Sequence, residues 1–139
     1  MLLPLLCPLD LDPTAGEFRL DLFPPALPES VGALRRLLRD TLRSLGLDSD
    51  APCLILSELV TNALVHGEGP PTVVLELRCG RLWIAVSDAG TAPILRPRPD
   101  DSRTSGRGLD LVGVLADEWG VKLIGTYGRA VWAAVAVGG

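Results

Sequence analysis

Apolar and polar positions along the chain follow two different periods. From Glu17 to Phe23 (EFRLDLF) apolar and charged residues alternate, the pattern of a strand with one side on a core. Pro24, Pro25 and Pro28 break this run. From Glu29 to about Leu45 the period lengthens, with Val31, Leu34, Leu37, Leu38 and Leu42 on one side. That spacing predicts a helix, and Gly46 is its natural stop. Asp48, Ser49 and Asp50 offer caps for a second helix, and Pro52 suits its first turn. This helix carries Leu56, Leu59, Val60, Ala63 and Leu64 and stops at Gly67, Gly69 and Pro70.

Strands return at Thr72 to Arg78 and Leu82 to Ser87, and the intervening Cys79-Gly80-Arg81 predicts a hairpin. The stretch from Asp88 to Gly106 is rich in proline and polar residues and is predicted to be a loop, of a length often used as a lid or binding segment. Leu109 to Leu115 predicts a short helix. Val121 to Ile124 and Ala130 to Val137 predict two last strands around a glycine-containing turn. No internal repeat is visible. Helices early, strands late and hairpin connections favour an α+β two-layer sandwich: a mixed, mostly antiparallel sheet with helices on one face and its other face at least partly exposed. Residues 1–15 read as an irregular leader and 16–139 as a single domain.

Composition narrows the function classes. The chain has 139 residues, 47% of them hydrophobic and 22% charged, which suits one globular domain with an ordinary core. A net charge of −4 with no basic cluster argues against a nucleic-acid surface. No run approaches the roughly 20 apolar residues that a membrane span needs. The N-terminal MLLPLLCPLDLDP lacks the basic start of a signal peptide and is broken by proline. Cys7, Cys53 and Cys79 have no metal-like spacing and read as reduced thiols of a cytoplasmic protein, with a Cys7 disulfide as the minor alternative.

Candidate chemistry sits on the second helix. Glu58, Asn62 and His66 follow one another at intervals of four in SELVTNALVHG. Four residues advance an α-helix by about 400°, so the three form one stripe beside the apolar face. Alone, such a row is also what a helix at the edge of a core carries, hydrogen-bonded to its neighbours. Two glycine clusters change the weighing. Asp88-Ala89-Gly90 ends a strand, where a carboxylate can accept from an exocyclic amine and the glycine lets a flat ring approach. Ser105-Gly106-Arg107-Gly108-Leu109 lies just before the predicted third helix, where free backbone N–H groups and the helix dipole favour an anion.

At these residues the chain resembles a known family. ELVTNALVHG is similar to the N-box of the GHKL ATPase superfamily, SDAG to its first glycine box and SGRGLDLV to its second. The likeness runs from about Phe18 to Val137 and leans towards the small, free-standing bacterial anti-sigma-factor serine kinases, whose last strand Arg129-Ala130-Val131-Trp132-Ala133 also resembles. The resemblance implies the Bergerat fold and ATP with Mg²⁺ as ligands. Asn62 then matches the magnesium ligand and Glu58 the carboxylate that orients or deprotonates the attacking group. Asp88 matches the acceptor of the adenine amine and Gly90 the turn beneath the ring. Gly106, Arg107, Gly108 and Leu109 match the lid hinge and phosphate cradle, and His66 a variable position near the ribose and phosphates. Two departures stand out: Ala92 replaces the second glycine of the first box, and Ala130 stands where close relatives have a threonine that helps bind adenine through water.

The function this implies is an ATP-dependent serine/threonine kinase that phosphorylates an anti-sigma-factor antagonist and sequesters a sigma factor, as a homodimer. The alternative is a nucleotide-dependent protein-binding module without phosphotransfer. A detached histidine-kinase catalytic domain fits less well, because no helix pair with a phosphorylatable histidine accompanies these motifs.

Overall fold

The computed structural model describes residues 17–90, 104–123 and 128–138, with backbone alone over 104–108. The alternating N-terminal run forms β1 (Phe18–Leu22), half-buried and exposed by turns. Helix α1 (Glu29–Ser44) buries Leu34, Leu38 and Leu42. Its end is a Schellman turn: Gly46 takes φ +72° and donates to the Arg43 carbonyl at 3.0 Å, while Leu47 donates to Leu42 at 2.9 Å. Helix α2 (Asp50–His66) begins after Ser49, whose hydroxyl makes no capping bond; Asp48 Oδ1 instead accepts from the Asp50 N–H at 3.3 Å.

α2 is apolar on most of its circumference because it is the central helix. It packs on α1, on α3 (Thr104–Leu115), and on the sheet strands β3 (Arg81–Asp88) and β5 (Arg129–Ala136). Ile55, Leu56 and Val60 are fully enclosed, each worth about 1.5–3 kcal/mol on burial. The α1–α2 seam is also tied by polar contacts. Arg35 reaches the Ser57 hydroxyl at 3.4 Å, Ser57 donates to the Cys53 carbonyl at 2.8 Å, and the Cys53 thiol donates to the Arg35 carbonyl at 3.6 Å.

Strand β2 (Thr72–Arg78) joins β3 through a two-residue turn, with Arg78 opposite Arg81. The turn needs left-handed backbone at both positions, and Cys79 and Gly80 supply it with φ 54° and 75°. Arg81 is thus a strand residue and not part of the turn. The last hairpin joins β4 (Glu118–Leu123) to β5. β4 starts three residues before the predicted Val121, because Glu118, Trp119 and Gly120 continue the pairing with Ala134, Ala133 and Trp132.

The sheet order is β1-β2-β3-β5-β4, and every pairing among the described strands is antiparallel. The two-layer α+β sandwich is therefore as expected, without the parallel pair that a mixed sheet would contain. All three helices cover one face, onto which Val73, Leu75, Ile84, Val86, Val131 and Ala133 point. The middle of the other face is less exposed than expected. Val74, Trp83, Ala85 and Ala134 are buried there beside half-buried Trp132, the two indoles lying 5.9 Å apart.

Among the cysteines, Cys53 is buried and free. Cys79 is disulfide-bonded, which departs from the expectation of reduced thiols throughout. The leader 1–15 with Cys7, the loop 91–103 with Ala92, and Ile124 lie outside the described residues. No described helix is long and apolar enough to cross a membrane.

Candidate functional site

The stripe on α2 is graded in depth. Glu58 is half-buried, Asn62 is 7% exposed, and His66 at the end of the helix is exposed. Among the described residues, neither the Asn62 amide nor the Glu58 carboxylate has a side-chain hydrogen bond or ion pair. The bland reading, a boundary row bonded to its neighbours, therefore fails for both. A buried amide with a half-buried carboxylate one turn away offers oxygen donors to a hard cation. No group of three or more His, Cys, Asp or Glu suited to a metal occurs among the described residues. One amide and one carboxylate supply only part of a coordination shell, which fits a cation that keeps waters and phosphate oxygens, as Mg²⁺ commonly does.

The second part of the site lies where α2 ends and β3 ends. Asp88 Oδ1 accepts from the Gly90 N–H at 2.6 Å and from the Glu68 N–H at 3.4 Å. The Ala89 N–H in turn donates to the Glu68 carbonyl at 3.2 Å. Close packing here demands glycine at two positions. A Cβ on Gly67 would lie 2.6 Å from the Asp88 carboxylate, and one on Gly90 would lie 2.8 Å from Asp88 Oδ1.

Asp88 has a further partner that sequence reasoning did not assign. Arg129, the first residue of β5, stands opposite Asp88 in the sheet register. Its Nε–H points at Asp88 Oδ2 at 3.4 Å, and its Nη2 donates to the His66 carbonyl at 2.9 Å. The two side chains are only 3% and 6% exposed. Removing one member of such a buried pair typically costs about 3–5 kcal/mol, because the other charge is left uncompensated. Both Asp88 oxygens thus already have protein donors, yet a carboxylate offers about four lone-pair sites. With two donors on Oδ1 and one on Oδ2, one lone pair of Oδ2 is left to accept from an amine.

The register also corrects the reading of Ala130. On β5 the residues facing the helices are Val131, Ala133 and Val135, and by alternation Arg129. Ala130 lies opposite Ser87 and points to the other face with Trp132 and Ala134. Ala130 is therefore not the residue of this strand that meets the site; Arg129 is.

The second glycine box sits elsewhere in its helix than expected. α3 begins at Thr104, so Gly106, Arg107 and Gly108 lie within its first turns rather than before it. Glycine weakens a helix interior but does not forbid it. The first four N–H groups of a helix lack intrahelical acceptors, which leaves that of Gly106 as a donor for an anion while that of Gly108 falls to the helix's own ladder. Leu109 is 2% exposed and belongs to the apolar core. His66 is tied into the site by its backbone carbonyl, while its exposed side chain is in no described hydrogen bond or ion pair.

The model of the histidine kinase-like ATPase domain family matches residues 24–134 of this chain. Among solved structures, the chain is similar to the crystal structure of the RsbU and RsbW domains of Rv1364c from Mycobacterium tuberculosis. That likeness has a TM-score of 0.64 at 22% identity and covers 86% of this chain. This chain spans only 32% of that longer one, so the likeness speaks for the fold. No curated protein matches.

Proposed function

Because the chain belongs to the histidine kinase-like ATPase domain family, whose members bind ATP, we propose that it is an ATP·Mg²⁺-dependent serine/threonine kinase. Its substrate would be an anti-sigma-factor antagonist, and the same protein would sequester a sigma factor, acting as a homodimer. The partners rest on the motif resemblance, and the RsbW domain in a protein of similar fold is consistent with it. The observation that carries the kinase reading is the pair on α2: Glu58 and Asn62, one turn apart, with side chains that nothing among the described residues engages.

In this reading each residue has a separate task. Asp88, held by Gly90 and Glu68, accepts from the adenine amine. The first-turn N–H groups of α3 face the phosphates. The Asn62 oxygen would hold Mg²⁺, which when bound supplies charge neutralisation at the phosphates. Glu58 receives the proton of the acceptor serine hydroxyl as that oxygen attacks the γ-phosphorus, and the bond from the γ-phosphorus to the bridging oxygen breaks to release ADP. Transfer of this kind depends mainly on positioning and electrostatics, to which a positioned base adds about 10²–10⁴-fold.

The test is single-turnover transfer from γ-labelled ATP to proteins of the source cell lysate, together with nucleotide affinity, for the parent and Glu58→Gln. The kinase reading expects labelled serine or threonine from the parent, a rate lower by about 10²–10⁴-fold in the variant, and nearly unchanged affinity. Nucleotide binding with no labelled residue from either protein would make it a binding module instead.

A further inference from the structure

The contacts of Arg129 span three elements. From the start of β5 it reaches the carbonyl of His66 at the end of α2 and the carboxylate of Asp88 at the end of β3. It also lies against the turn: a Cβ on Gly90 would come within 3.3 Å of Arg129 Nη2. Asp88 Oδ1 is fixed by two backbone N–H groups whatever Arg129 does. Oδ2 is the oxygen whose direction Arg129 sets. A guanidinium is suited to this because its planar fork addresses two acceptors at once, which an ammonium on a flexible stem does not.

The rest of the core between α2 and the sheet is built from apolar side chains such as Ile55, Leu59, Ala63, Ile84, Val86 and Val131. An apolar pair of similar volume there would hold the elements together at least as well, since buried ion pairs are weak contributors to stability. The charged pair instead occurs where a carboxylate must point in one direction.

Building on the nucleotide reading of Asp88, we propose that Arg129 is a positioning residue for base recognition: it orients Asp88 Oδ2 towards the exocyclic amine of adenine and so sets selection for adenine nucleotides. Nucleotides whose ring carries a carbonyl at that edge gain nothing from this orientation. Inosine triphosphate is the matched probe, because it differs from ATP at the amine-bearing edge and keeps the ribose and phosphates.

The experiment measures ATP and ITP affinity by calorimetry for the parent, Arg129→Met and Arg129→Lys, with folding checked by circular dichroism. Hydrogen bonds to charged groups are worth about tenfold to a hundredfold in an equilibrium. ATP affinity is expected to fall by roughly that factor in Arg129→Met and by less in Arg129→Lys, while ITP affinity changes by less than about twofold. The ATP:ITP ratio therefore shrinks in both variants, a change that mere loss of stability would not produce. Should Arg129→Met fail to fold, Arg129→Lys decides, since it keeps the charge and loses the fork. An ATP:ITP ratio equal to the parent's in the folded variants overturns the role of Arg129 and leaves the nucleotide reading standing. A parent that binds neither nucleotide overturns both.

Discussion

Gly67 and Asp88 are packed so tightly that the glycine has no room for a methyl group. A Cβ at Gly67 would lie 2.6 Å from Asp88 Cγ and 2.5 Å from the Ala63 carbonyl oxygen. Backbone conformation is not the reason, since Gly67 has φ −91°. Space is the reason, and it brings the end of the N-box-like helix against the carboxylate.

Gly67→Ala should therefore act on the site and on stability together. The neighbour is backbone on one side and a buried carboxylate on the other, and neither yields easily. Overpacking of this kind typically costs about 1–3 kcal/mol. Thermal unfolding should fall by several degrees, and ATP affinity measured below that transition should weaken. A variant with the parent's unfolding temperature and affinity would show that this contact is soft.

Asn62→Ala should abolish the dependence of nucleotide affinity on Mg²⁺ while sparing metal-free binding. The amide has no hydrogen bond among the described residues, so its loss should perturb the fold little. Calorimetry with and without Mg²⁺ on both proteins checks this. Equal affinities with and without the ion in the parent would remove the metal role from Asn62.

Asp88 should make the protein prefer ATP to GTP by roughly tenfold or more. Guanine presents a carbonyl oxygen where adenine presents an amine, and two acceptors facing each other lose a hydrogen bond and repel. A competition assay in which GTP displaces ATP at equal concentration would count against the assignment.

Cys53 should be a slow thiol with a stability cost at high pH. Burial pushes its thiol above the ordinary value of 9.0, although Arg39 and Arg35 pull the other way. The folded state thus prefers the protonated form. Its contribution is complete below the unfolded thiol's pKa and is lost as pH rises above about 9. Alkylation of Cys53 in the native protein should lag behind that in denaturant, and Cys53→Ala should flatten the decline of stability at alkaline pH. Equal alkylation rates in the two states would refute this.

Much of this arrangement is legible in the sequence where a period repeats over several turns. The intervals of four at Glu58, Asn62 and His66 predict a stripe, and α2 has them at graded depths beside the core. The first hairpin is legible because Cys79-Gly80 interrupts two alternating runs, although the turn is one residue shorter than the sequence suggests. The start of α3 is not legible, because Gly106 and Gly108 read as helix breakers, yet the helix runs through both from Thr104. Arg129 is hidden for a different reason. A charged residue opening an apolar strand reads as a solvated end, and only the register with β3 shows that it faces Asp88. The same register moves Ala130 to the far face, which a linear match of motifs cannot reveal.

The sheet order places β3 beside β5 although α3 and β4 intervene in the chain. The contacts that close the site are correspondingly remote: Arg129 lies 41 residues from Asp88 and 63 from His66. Contacts of such separation form late in folding, after the entropy of closing long loops has been overcome. The α2 stripe can exist in a partly folded chain, but its junction with the end of β3 and the start of β5 cannot. A nucleotide that recognises only the joined site discriminates against every partly folded form. At a hundredfold excess over its Kd it would raise the unfolding free energy by about 2.7 kcal/mol, and it would do so for the domain as a cooperative whole. Nucleotide would then be a structural ligand of the domain, fastening together segments that lie far apart in the chain.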